Sequence, residues 1–218
     1  MAECRRVRGL VADMPASHLE FHVEEVCMEA FLTASLPKML PDDVTFKVFP
    51  YQGKHAFLNR IEARLKGYST WLPPEYRIVL VVDRDNDDCE HLKSKLEDIC
   101  ENAGLRSRRV AGSPDWQVVT RIAIEELEAW YFGDWPAVCA AYPNVSSTVP
   151  NQARYRNPDA IRGGTWEAFE RVLQQHGYYR TGLSKRQAAT EIGQHISSTI
   201  SRSHSYCVFR DAVIETFA

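Results

Sequence analysis

The sequence predicts an α/β protein: a mostly parallel sheet of about four strands flanked by helices, with a helical C-terminal part. Three observations point there. RIVLVVD (77–83) is a continuous apolar run without alternation, as expected of a central strand covered on both faces. Strand-like and helix-like stretches alternate through residues 19–143, the pattern of a parallel α/β layer. After residue 143 the texture changes to PNVSSTVPNQARYRNPDAIRGG, a connection rich in Pro, Gly and Asn, followed by helical periodicity only.

Residues 1–18 show no periodicity and are expected to form a loose arm, with Met14 before Pro15 an alternative start of the chain. LEFHV (19–23) reads as the first strand. Residues 26–36 carry Met28, Phe31, Leu32 and Leu36 at helical spacing, and Pro37 stops that helix. VTFKVF (44–49) alternates as a second strand. HAFLNRIEARLKGY (55–68) places Phe57, Leu58, Ile61 and Leu65 on one helical face. The third strand is 77–83, and a helix over 88–102 presents Leu92, Leu96 and Ile99. VVTRIAIEE (118–126) is the fourth strand. Residues 165–176, 184–199 and 206–217 read as three helices, so that an arm (1–18), an α/β domain (19–143) and a helical part packed on it (144–218) divide the chain.

Bulk properties narrow the function. The chain has 218 residues, 44% hydrophobic and 25% charged, and no apolar run approaches the ~20 residues that span a bilayer. No signal-peptide pattern opens it, so a cytoplasmic location without a membrane partner is expected. The six cysteines are scattered without a C-x-x-C pair, which suits reduced thiols and gives zinc no finger-like ligand spacing. A net charge of −3 argues against binding nucleic acid by a bulk positive field, but leaves room for a local groove and bridging cations.

The chemistry-bearing feature is acidic. In open α/β sheets ligands bind outside the carboxyl ends of the strands, where Asp83, Asp85, Asp87 and Asp88 fall. In an extended segment Asp83 and Asp85 project to the same side, and two such carboxylates repel unless a cation lies between them. Mg²⁺ (or Mn²⁺) suits oxygen ligands and keeps waters that substrate phosphates displace. Glu24 and Glu25 end the first strand, and Glu125, Glu126 and Glu128 end the fourth, so acids from three strands meet at one edge. A calcium loop is excluded, because position 88 is Asp where such a loop needs Gly and position 94 is Ser where it needs Glu. An aspartyl-phosphate phosphohydrolase with Asp83 as nucleophile is an alternative. Asp87 and Asp88 equally suit the capping of the following helix. Trp130, Tyr131 and Trp135 read as core. Lys54, at a strand-to-helix turn, and Arg202, among serines, are candidate phosphate contacts.

Glu24 after LEFHV, with Asp83 and Asp85 after IVLVV, resembles the toprim (topoisomerase–primase) domain, a Rossmann-like fold. More narrowly, HVEEVCMEAFL, VVDRDNDDC, IAIEELEAW and the C-terminal KRQAA and SRSHSYCVFRD stretches resemble an uncharacterised toprim-like family. That family is similar to nucleases of the overcoming-lysogenization-defect type, often encoded beside an ATPase in antiphage defence. The resemblance implies metal-dependent phosphodiester hydrolysis of nucleic acid, with an ATPase subunit (AAA or ABC type) as partner and a homo-oligomer as a further option. Glu24 would be the strand-one glutamate, and Asp83 and Asp85 the metal-binding pair. Glu29 would help a second metal, and Glu128 would match the acidic position before Trp130. Asp87 and Glu126 are further metal candidates, and Lys185, opening a helix, is the candidate cation for the transition state. Where toprim domains follow the glutamate with Gly, this chain has Glu25. A non-catalytic toprim-like subunit docking on an ATPase is the other alternative.

Overall fold

The computed structural model describes residues 15–113 and 115–217, and the expected arm lies outside them up to residue 14. Residues 15–18 do not extend that arm. Ala16 is buried, its N–H donates to Thr216 O at 2.6 Å, and the first strand opens at His18.

Four strands, β1 (His18–Val23), β2 (Thr45–Pro50), β3 (Tyr76–Asp83) and β4 (Val118–Ala123), form one parallel sheet in the order β2-β1-β3-β4. The helices between them are α1 (Val26–Ser35), α2 (Lys54–Tyr68), α3 (Cys89–Asn102) and the single turn α4 (Arg108–Ala111). After β4 come α5 (Glu128–Gly133), α6 (Trp135–Ala141), three 3-10 turns between Val149 and Ala160, then α7 (Thr165–Gln175), α8 (Lys185–Gly193) and α9 (His204–Ile214). No helix is long and apolar enough to cross a membrane among the described residues.

Side-chain alternation divides the core in two. Leu19, Phe21, Val23, Val79, Val81 and Val119 pack on the face shared by α1 and the C-terminal helices. Ile78, Leu80, Val82 and Val118 face Phe57, Ile61 and Leu65 of α2 and Leu92, Leu96 and Ile99 of α3. Both faces of β3 are therefore apolar, which accounts for its unbroken hydrophobic run. Parallel crossovers are right-handed. Here β1 therefore leads leftward to β2 through α1 on one face, while β2 and β3 lead rightward through α2 and α3 on the other. Strand order reverses between β1 and β3, and the loops leaving their carboxyl ends diverge to opposite faces.

Several boundaries differ from the sequence reading, among them the last helix, which runs His204–Ile214 rather than 206–217. β4 ends at Ala123 rather than residue 126, because Arg84 N and Asp85 N take Ala123 O and Glu125 O while Glu125 turns to φ 63. Glu128 opens α5 instead of ending a strand, and the short α5 and α6 were not foreseen. The middle C-terminal helix stops at Gly193, six residues early, and Ser197 N donates to Asp134 Oδ2 beyond it.

Helix α8 lies along α1 at a close approach that Gly193 permits. A Cβ there would stand 2.9 Å from both Ala34 Cβ and Phe31 O. Helix propensity alone makes Gly193→Ala stabilising by about 1 kcal/mol. The overpacking makes it destabilising by about 1–3 kcal/mol instead, a sign that urea unfolding will read directly.

Candidate active site at the β1–β3 switch point

The β1–β3 register pairs Val23 with Val81, so Glu24 leaves its strand opposite Val82, one residue before Asp83, where the strand order reverses. Glu24 Oε2 accepts from Asp83 N at 3.2 Å, tying the two strand ends together. Glu128, carried by the first turn of α5, and Lys185, the first residue of α8, close over this point. With Glu25, Cys27 and a floor of Met28, Val81 and Leu127, they line a cavity of about 20 Å³. That volume admits one water-sized particle.

The electrostatics of this cavity are unfavourable to its own charges. Glu24 and Glu128 are buried, and Asp83 Oδ1 is shut off from solvent with no hydrogen-bond partner. Burial pushes the Glu24 carboxyl up to about 7; nearby Lys54 opposes the rise and Asp85 adds to it. Burial likewise takes Glu128 to about 7, with Lys185 opposing and Glu126 adding. Asp83 lies well above the usual carboxylate range through burial, then through the Glu24 and Glu128 charges. The Cys27 thiol is raised to about 11 by burial and by Glu25, which keeps it a thiol.

The remaining expected ligands have other partners. β3 ends at Asp83 and Asp85 takes φ 50, so the alternation that would carry both carboxylates to one side stops. Lys54 Nζ donates to Asp85 Oδ2 and Asp87 Oδ2, each at 2.7 Å, and to Arg84 O at 3.1 Å. Lys54, expected as a phosphate contact, thus neutralises two expected metal ligands. Asp88 caps α3 by accepting from His91 N at 2.8 Å. Glu126 Oε2 accepts from Thr165 N, Thr165 Oγ1 and Trp166 N at 2.8–3.0 Å, which makes it the anchor of α7 rather than a free ligand. Glu29 sits on the first turn of α1 outside the cavity lining. Arg202 is spent on Arg156 O. Trp130, Tyr131 and Trp135 are buried in the core. Lys185 Nζ reaches the cavity with its ammonium 4.5 Å from the Trp166 ring centre, which steadies it by a cation–π contact.

A family model described as Domain of unknown function (DUF4276) matches residues 23–211, almost the whole described chain. The chain belongs to that family. No curated protein and no solved structure matches it. The DUF4276 match therefore begins at the last residue of β1 and covers every side chain of the cavity.

Among the described residues of this DUF4276 chain, no three His, Cys, Asp or Glu side chains stand close enough together to form a ready-made metal cage. The all-oxygen donor set of Glu24, Asp83 and Glu128, the orphaned Asp83 Oδ1 and the ion-sized cavity nevertheless fit a hard divalent cation. Sequence reasoning missed the Glu126 anchor. Its signal was a Gly163–Gly164–Thr165 helix start with exposed N–H groups seeking an acceptor.

Carboxylates raised in the folded state bind protons more tightly there than in the unfolded chain. Their stabilising contribution is present below the ordinary value of 4.5 and is lost as pH rises toward 7. In a chelator, thermal unfolding should show stability falling across that window by at most about 3 kcal/mol for each of the two carboxylates. Glu128→Gln should flatten the fall and unfold at higher temperature than wild type at pH 8.

Proposed function

We propose that this chain is a divalent-cation-dependent phosphodiester hydrolase of toprim type that acts on nucleic acid. The observation that carries the reading is the unpartnered, enclosed Asp83 Oδ1 sharing one cavity with Glu24, Glu128 and Lys185. A protein keeps acids in such a position at a cost of several kcal/mol unless something binds there. Function is a sufficient reason for that cost.

Glu24, Asp83 and Glu128 would hold Mg²⁺ or Mn²⁺. When bound, the cation neutralises the scissile phosphate and lowers the pKa of an attacking water. The chain's own groups do the rest. Lys185 places an ammonium at the cavity mouth, where it can bind a non-bridging phosphate oxygen and stabilise its growing charge. Glu25, exposed at the start of α1 beside the cavity, is positioned to take a proton from water. Lys54 holds the β3–α3 loop against Asp85 and Asp87 and keeps that wall of the cleft in place. The aspartyl-phosphate route has less support, because Asp87 stands where that motif continues with Thr or Val.

The toprim-like resemblance and the net charge of −3 extend the proposal to a role in antiphage defence beside an ATPase subunit, since this chain supplies little bulk attraction for a long duplex. A non-catalytic binding subunit is the second reading. It is favoured by Lys54, which already saturates Asp85 and Asp87.

Incubating the full chain with single- and double-stranded DNA and RNA in Mn²⁺ separates the two. The hydrolase reading expects cleavage abolished by chelation and reduced about 100-fold or more in Asp83→Asn and Glu24→Gln, with unfolding temperature held or raised. Lys185→Met should cost about 10- to 100-fold. Intact substrates throughout, with tight oligonucleotide binding, favour the binding subunit.

A further inference from the structure

Beside the acid cavity opens a second cleft of about 890 Å³, walled by Arg84, Asp85, Glu125 and Glu126 on the strand side and by residues 159–164 on the other. Of its carboxylates all but Glu167 are already engaged. Glu125 pairs with Arg84, Asp85 with Lys54 and Glu126 with the start of α7. Asp159 accepts four hydrogen bonds from Ser203, His204 and Ser205 at the start of α9. The cleft then runs, through Ala160, Ile161 and Arg162, into a third pocket of about 250 Å³.

That third pocket is cationic. Arg154, Arg162 and Arg171 line it, all three exposed, with no acidic side chain among its other lining residues. Among the described residues none of the three pairs with a carboxylate. Arg154 is held by Gln152 Oε1 at 3.0–3.2 Å and by the face of Tyr155, contacts that orient a guanidinium without neutralising it. Three unpaired guanidinium groups around one pocket, on a chain of net charge −3, make a local site for an anion with several acceptor oxygens.

We infer that the Arg154–Arg162–Arg171 pocket grips the phosphodiester backbone of a single nucleic-acid strand that lies along the cleft and delivers a neighbouring phosphate to the acid cavity. This rests on the hydrolase reading above and names how its substrate is held. A cleft of this size takes a few nucleotides of one strand and not a duplex. Apart from Glu167, whose Oε2 is buried without a hydrogen-bond partner, the guanidinium groups are the free charge along it.

The test measures binding rather than cleavage. The full chain is titrated into fluorescently labelled 20-nucleotide DNA and RNA single strands, with Ca²⁺ in place of Mn²⁺, across a range of NaCl, and anisotropy is read. Arg162→Gln/Arg171→Gln leaves the buried core untouched. It should weaken binding at least tenfold and reduce the slope of log Kd against log salt by about 0.7 for each phosphate that is no longer neutralised. Arg60→Gln/Arg64→Gln, on the far side of β2, should leave the slope unchanged, and Asp83→Asn should still bind. An unchanged slope in Arg162→Gln/Arg171→Gln, or no binding of either strand by wild type, overturns the inference. Equal affinity for a 5′-mononucleotide overturns it too, in favour of a small-anion site. Failure of the hydrolase reading would appear separately, as cleavage that Asp83→Asn does not reduce.

Discussion

The reversal of strand order between β1 and β3 is the constraint on which the rest of the molecule depends. Right-handed crossovers oblige α1 to leave toward one face and α2 and α3 toward the other. Adjacent parallel strands then end without a helix between them, and whatever residues follow Val23 and precede Arg84 are brought together. Glu24 and Asp83 occupy those positions, and the bond from Asp83 N to Glu24 Oε2 fixes their separation. The C-terminal helices complete the arrangement: α5 contributes Glu128, and α8, lying against α1, contributes Lys185.

Enclosing these carboxylates has an energetic consequence that shapes the surroundings. Their charges repel and are poorly solvated, so each is held toward its protonated form unless a cation arrives. Two lysines moderate this from opposite sides, Lys54 through Asp85 and Asp87 and Lys185 from the mouth of the cavity. Further out, the acids are committed to helix starts, Asp88 at α3, Glu126 at α7 and Asp159 at α9. The edge as a whole is less negative than its sequence suggests.

That difference marks what a sequence can and cannot carry. The apolar run 77–83 and the helical spacing of Phe57, Ile61 and Leu65 made the layered α/β fold legible, because burial on two faces leaves a local trace. Glu24 and Asp83 were legible as strand-end acids for the same reason. The division of labour among the other acids was not. Asp85 leaves the extended conformation at a single backbone dihedral, and Glu126 is claimed by N–H groups thirty-nine residues away. Neither event has a local sequence signature. The early end of β4 shows the same limit, since Ile124 continues the apolar pattern while the chain has already turned.

Helix α9 begins against Asp159 at the wall of the large cleft and ends where Thr216 O receives Ala16 N. Ala16 sits just before β1, at the amino edge of the sheet, whereas the carboxylates lie at its carboxyl edge. A six-residue strand separates those edges by about 20 Å. Residues 16 and 216 are thus neighbours on the side of the molecule away from the cleft. The contact that ties the end of the last helix to the start of the first strand lies at the opposite edge of the sheet from Asp83.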